Sequence, residues 1–338
     1  MPSMRIVRDV IAYNAAISAC EKGGQWRLAL GLLTTMPDVK VIPNVISYNG
    51  AISAFAKGVQ WQMALSLLRS MLDMMVIANK ITYSAAISAC EKGGRWQMAL
   101  SLLSSMPDAR VIPNEVTYSA AISACEKRRQ WQLALSLLSC MPDLRIFQDE
   151  FSYNAAISAC SKGGQWQISL RLLSSMPDMR VAPNEITYNA AIHACESCGQ
   201  WKLALNVLSL MPAGRVVPDT ITYSAAISAC AQGQRWQLAL NLLSRMPEAR
   251  VVPGEITYDA AISACSKRGK RQLALNLLSR MPDGRLVPDE VTYSAAIGAC
   301  EQGGQWALAV SLLGKQSLAS LNLLVEARQQ KLEQPFIT

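Results

Sequence analysis

Short polar side chains that return every 35 residues are the groups in this 338-residue chain best placed to do chemistry. One row follows an invariant tyrosine: Asn14, Asn49, Ser84, Ser119, Asn154, Asn189, Ser224, Asp259 and Ser294. A second row closes each unit: Asn44, Asn79, Asn114, Asp149, Asn184, Asp219, Gly254 and Asp289. Counting each unit from Val10, these are positions 5 and 35. Position 2 is always apolar, being Ile11, Ile46, Ile81, Val116, Phe151, Ile186, Ile221, Ile256 and Val291. Helical repeats that present apolar side chains and amides or hydroxyls at a fixed rise can hold the bases of a single RNA strand. The apolar groups clamp base faces and the polar ones meet the Watson–Crick edge. A plain helix cap would explain position 35, and an exposed polar residue would explain position 5. Capping gives no reason for the two slots to be paired differently from unit to unit while the rest of the unit is nearly copied, so the pairs are read as base-selecting.

Position 13 adds Lys22, Lys57, Lys92, Lys127, Lys162 and Lys267. They suit phosphates, or else the negative end of a helix dipole. The metal-like grouping His193, Cys195 and Cys198 has no second Cys/His pair near it in sequence, so no metal is expected. Eight of the ten cysteines occupy one slot of the repeat among Ala, Ile and Tyr, where a thiol behaves as a small hydrophobe. So many reduced thiols suit a reducing compartment. With one histidine, no phosphate loop and no nucleophile elbow, the chain reads as a binder, without a cofactor, a small-molecule substrate or an enzymatic activity.

The elements that must position these rows follow from the period. A repeat of this length marks a solenoid, so the expected fold is all-α: an α-solenoid, or superhelix, of about nine helix–turn–helix units. They start at residues 10, 45, 80, 115, 150, 185, 220, 255 and 290. In the third unit, Tyr83, Ala86, Ile87 and Cys90 recur at helical spacing and predict helix A from about Ile81 to Lys92. Asn79 is its cap, and Gly93 and Gly94 make the turn. Trp96, Ala99, Leu100, Leu103 and Met106 form the apolar stripe of helix B, which Pro107 should stop. One unit cannot bury both stripes alone, so stacking is obligatory.

The second unit departs from the pattern, with Phe55 in the cysteine slot and Leu72 and Ala78 in the proline slots, and so does the eighth, with Arg271 for Trp. Residues 1–9 look like the tail of an earlier unit. The array spans 10–313, and 314–338 read as a degenerate last unit with a capping helix carrying Leu318, Leu321 and Val325.

A net charge of +8 suits an anionic partner. No apolar run reaches the roughly 18 residues of a membrane span, so no membrane is expected as a partner.

The unit resembles the pentatricopeptide repeat family in length and in pattern. It has V/I-T-Y-N/S near the start, K-x-G in the turn, A-L-x-L in helix B, Met before the loop and P-N/D at the end. The resemblance covers about Val10 to Leu313 and implies a P-type array without a C-terminal catalytic domain. It implies that positions 5 and 35 select the base: Asn with Asp for U, Asn with Asn for C, Ser or Thr with Asn for A, Ser or Thr with Asp for G. Asn14 with Asn44 and Asn49 with Asn79 would then read C, Ser84 with Asn114 A, and Ser119 with Asp149 G. Asn154 with Asn184 would read C and Asn189 with Asp219 U. Ser224 with Gly254, Asp259 with Asp289, and Ser294 with the out-of-register Leu324 fall outside these rules. The implied target is a 5′-CCAGCU-like single strand, with the protein N-terminus toward the RNA 5′ end. The resemblance also implies an organelle, the chloroplast ahead of the mitochondrion, and other RNA-processing proteins as partners. A protein-binding scaffold using the same face is the competing expectation.

Overall fold

A computed structural model describes residues 9–281, 286–302 and 311–314. The sequence expectations for residues 1–8, for Trp306 and for the cap at 315–338, including Leu324, lie outside the described residues. Among the described residues there are helices and no strands.

The chain divides between Ala182 and Pro183 into two compact units. The first holds α1 (Val10–Lys22), α2 (Trp26–Thr35), α3 (Val45–Lys57), α4 (Trp61–Asp73), α5 (Lys80–Lys92), α6 (Trp96–Ser105), α7 (Glu115–Lys127), α8 (Trp131–Asp143), α9 (Glu150–Lys162) and α10 (Trp166–Ser175). The second holds α11 (Glu185–Ser197), α12 (Trp201–Leu210), α13 (Thr220–Gln232), α14 (Trp236–Arg245), α15 (Glu255–Ser266), α16 (Arg271–Arg280) and α17 (Glu290–Gln302). Odd-numbered helices are the A helices and even-numbered ones the B helices. Within each unit, successive A helices pack on one another, whereas each B helix meets only A helices. The A layer is therefore the tighter one, and open seams run between the B helices.

The core repeats with the sequence. Ile52, Ile87, Ile122, Ile157, Ile192, Ile227 and Ile262 are fully buried, as is the methionine that closes every described B helix, from Met36 to Met281. Each buried Ile contributes about 1.5–3 kcal/mol, and neighbouring repeats supply its cover. Alanines on the A–A seam keep the helices close. At Gly50 even an added Cβ would come within 2.8 Å of Ile17 Cγ2.

Three expectations need correcting. The B-helix tryptophans are half-buried rather than core: they start their helices and pack against the next repeat's turn. An added Cβ on Gly58, Gly93, Gly163 or Gly233 would lie 2.3–2.5 Å from the Cδ1 of Trp26, Trp61, Trp131 or Trp201. The turn glycines also divide their work. Gly93 keeps a right-handed φ of −76° and is small for the sake of Trp61. Gly94, at φ +65°, takes the left-handed turn that glycine favours. Finally, proline does not always stop helix B, for α8 runs through Pro142 to Asp143. The Leu138 carbonyl, which Pro142 cannot serve, accepts from Gln148 Nε2 at 2.6 Å. Gln148 stands where most repeats carry their second proline, and its Oε1 accepts from Tyr153 Oη at 3.0 Å.

Candidate nucleic-acid interface

Every described A helix but α15 starts after a residue whose side chain can cap it. Asn44, Asn79, Asn114, Asp149, Asn184 and Asp219 accept a backbone N–H of the following helix through Oδ1. Asp289 does the same for Thr292 N, at 2.9 Å. Gly254 has no side chain to offer, and its own N–H donates to Thr257 Oγ1 at 3.2 Å. Position 35 is thus a true cap in every described repeat but one. The cap itself uses only Oδ1; the second polar atom is Nδ2, a donor, on asparagine and Oδ2, an acceptor, on aspartate.

Position 5 lies beside that cap. Asn14 Nδ2 donates to Asn44 Oδ1 at 3.3 Å, and Asn49 Nδ2 to Asn79 Oδ1 at 3.3 Å. Ser119 Oγ donates to Asp149 Oδ1 at 3.2 Å, and Asn189 Nδ2 to Asp219 Oδ1 at 3.5 Å. Ser84 instead donates to Lys80 O, at 2.7 Å, and Ser224 donates to Thr220 O, so their hydroxyls fold back on their own helices. Asn154 on α9 is half-buried, and Ser294 on α17 is exposed.

A third residue of the constellation escaped the sequence reading. From the second unit on, position 3 is Ser47, Thr82, Thr117, Ser152, Thr187, Thr222, Thr257 and Thr292, all fully buried. Its hydroxyl closes the capping box and also reaches back to position 5: Ser47 Oγ donates to Asn14 Oδ1 at 2.5 Å, Thr82 Oγ1 to Asn49 Oδ1 at 2.6 Å, and Thr222 Oγ1 to Asn189 Oδ1 at 2.6 Å. The Ser or Thr before every tyrosine from Tyr48 to Tyr293, with Ala12 alone in the first unit, was the available signal.

These bonds set the carboxylates apart. At Asp219 burial works to raise the pKa, but hydrogen bonds from the Thr222 hydroxyl and backbone, with Glu185 and Asn189, win and hold it below the usual range. Asp289 is lowered likewise, burial being outweighed chiefly by the Thr292 backbone and hydroxyl. Asp259 moves the other way. Burial raises it, the Thr292 hydroxyl at 2.5 Å opposes, and the charges of Asp289 and Glu255 push it further up.

The position-2 row is wholly exposed, from 54% at Ile81 to 76% at Ile11. A single exposed Ile is ordinary, but one per repeat on one helix face is a surface that expects a cover. The lysines divide. Lys57, Lys127 and Lys162 pair with Glu21, Glu91 and Glu126 of the preceding repeat at 3.2, 2.9 and 2.6 Å. Ser123 and Ser158 hold two of those carboxylates as well. Lys22, Lys92 and Lys267 are exposed without such a partner among the described residues.

A second basic row was missed. Arg110, Arg145, Arg180, Arg215 and Arg250 are exposed, each with φ between +56° and +59°, four residues before a cap. Among the described residues no group of three or more His, Cys, Asp or Glu could hold a metal, and His193 is exposed. Burial pushes the thiols of Cys90, Cys125, Cys160, Cys195, Cys230 and Cys265 up to about 11, far from thiolate chemistry at neutral pH.

Among curated protein sequences none matches the chain. Among solved structures it is similar to the pentatricopeptide repeat protein PPR10 from maize, with 23% identity and a TM-score of 0.59. It is also similar to PPR10 in complex with an 18-nt psaJ RNA element, with 19% identity and a TM-score of 0.52. The alignments cover 91% and 92% of this chain but only 49% and 56% of those chains, so the chain spans about half the length of the structures it matches. They bear on the fold. A family model described as the PPR repeat family matches residues 8–57, 78–127, 148–197, 183–232 and 253–302. A second, the PPR repeat, matches residues 46–76, 116–146 and 221–251. With these matches spread along well over half of its length, the chain belongs to the pentatricopeptide repeat family.

Proposed function

We propose that the chain binds single-stranded RNA sequence-specifically, one base per repeat, on the exposed face of its A helices. The observation that carries this reading is the division of labour at position 35. Because the backbone N–H must meet an oxygen, the cap fixes which atom of the side chain turns inward. Asparagine then offers an amide N–H outward, which suits the bare ring nitrogen of C (N3) or A (N1). Aspartate offers an oxygen, which suits the ring N–H of U or G. Position 5 acts by length: asparagine fills the space beside a pyrimidine, and serine leaves room for a purine. This chemistry reproduces the base preferences of the family and supports CC, A and G for the first four repeats and U for the sixth. The exposed apolar row supplies the clamp. Lys22, Lys92 and Lys267, with the loop arginines, supply cations for phosphate.

PPR10, similar in fold, has been solved with a bound RNA element. The family resemblance supplies the transcripts of an organelle as the target class and their processing or stabilisation as the outcome.

The test is fluorescence anisotropy with 5′-CCAGCU RNA, a scrambled strand, and a strand with A for G at the fourth base. Asp149→Asn keeps the capping oxygen and converts the outward acceptor to a donor. It should move the preference at that base from G to A by about tenfold, within the roughly 1–3 kcal/mol of a base-edge contact. Equal binding of all three strands by the unaltered chain would overturn the reading.

A further inference from the structure

The open seams between B helices form two matching clefts in the second unit, on the layer away from the candidate RNA face. One, of about 420 Å³, lies between α12 and α14 and is lined by Leu205, Leu208, Tyr223, Leu242, Asn241 and Arg245 among others. The other, of about 360 Å³, lies between α14 and α16 and has the same residue types 35 positions on, ending in Asn276 and Arg280. The floor of the first is the buried Tyr223 and its walls are leucines, with prolines at the ends. At the lip stand an asparagine and an arginine one helical turn apart, both exposed.

This lip is a local feature of the array. The slot of Arg245 and Arg280 holds Thr35, Ser70, Ser105, Cys140, Ser175 and Leu210 in the other described repeats. No carboxylate lines either cleft among the described residues. The clefts therefore combine an aliphatic slot with a positive charge that no described lining residue neutralises, twice in succession.

We propose that this face docks an acidic amphipathic helix of a partner protein, placing one aliphatic side chain in each cleft and carboxylates against Arg245 and Arg280. Charge complementarity selects an acidic partner. The aliphatic walls, with their one aromatic ring at the floor, favour a leucine-like side chain over a stacked base. Spacing agrees too. Two side chains seven residues apart on a helix stand about 10.5 Å apart, comparable to the step from one repeat to the next, which the packed A helices set at about 8–10 Å. The inference is independent of RNA recognition, which uses the other layer.

The experiment uses the full chain and a fluorescein-labelled helical peptide of glutamate and alanine with two leucines seven residues apart. Saturable binding is expected, weakened at least tenfold in the Arg245→Glu/Arg280→Glu variant. A peptide with lysine in place of glutamate should bind that variant better than the unaltered chain. Both arginines are exposed, so circular dichroism should be unchanged, and Leu238→Asp, at an exposed wall position of the first cleft, gives a second variant that sets a repelling carboxylate in one slot and should also weaken binding. Absence of peptide binding, indifference to the arginine reversal, or displacement of the peptide by a single-stranded RNA oligonucleotide would each overturn the proposal, the last in favour of a nucleic-acid site.

Discussion

In the proposed reading, the fate of single atoms sets which base edge this surface would meet. A capping oxygen is spent on the backbone, so the choice between Asn and Asp is a choice between showing the partner a donor and showing it an acceptor. Asp259 illustrates the energetic side. Its folded pKa is raised, chiefly by burial, so the charged form costs stability at neutral pH. That cost is relieved as the pH falls through its folded value toward the ordinary carboxylate range near 4. Asp259→Asn should therefore raise the melting temperature at pH 7, on the order of 1–3 °C, with the gain gone below about pH 4. Thermal scans at the two pH values check this. Asp219 and Asp289, held low, stabilise the fold above the ordinary carboxylate range and lose that contribution as the pH drops through their folded values. Charge at position 13 follows similar logic. Glu91→Gln should free Lys127 and steepen the salt dependence of RNA binding by roughly 0.7 in log–log slope, whereas Lys92→Ala should flatten it by as much. Titrations across a salt series read both.

At the level of the helix and turn, each repeat is joined to the next by contacts that cross the period. Gly93 is the sharpest case, because a Cβ there would meet Trp61 of the preceding repeat. Gly93→Ala should destabilise by about 1–3 kcal/mol through overpacking. Most of that should be recovered in the Gly93→Ala/Trp61→Leu double variant, a coupling that urea denaturation of the four proteins measures. Gly94→Ala should cost about 1 kcal/mol, chiefly by backbone strain and with the added Cβ 3.3 Å from Arg128 Nε, and should show no dependence on Trp61. Helix spans were legible from the sequence: α5 and α6 run from Lys80 to Lys92 and from Trp96 to Ser105, within one residue of the expectation. Positions 5 and 35 were legible as two rows that vary in an otherwise copied unit, and they do lie side by side. What was hidden is what depends on the turn between neighbours. The Glu91–Lys127 ion pair joins residues 36 apart, and the position-3 hydroxyl serves two side chains at once. The half-burial of the tryptophans could not be told from a core stripe by spacing. Nor could the rescue of α8 by Gln148, since a glutamine in a proline slot looks like decay until the orphan carbonyl is seen.

Across the molecule, stability is a sum over repeats and the seams between them, taken unit by unit. The strictest constants of the array are its interior: isoleucine, alanine, methionine and one thiol at fixed slots. The variable residues are at the helix caps and along the seams of the B layer. A nearly copied sequence thus separates what holds the stack from the residues proposed to recognise a partner. The thiols have a practical use. Cys90, Cys125, Cys160, Cys195, Cys230, Cys265 and Cys300 are fully buried, whereas Cys140 is exposed. In a maleimide pulse at pH 7, Cys140 should be modified within seconds to minutes, and the buried set only when its own repeat opens. Equal modification of all ten would contradict the packing described above. Because each buried sulfur sits in a different peptide, mass spectrometry of a timed pulse would turn the chain into a row of built-in stopwatches, recording where along the array breathing begins.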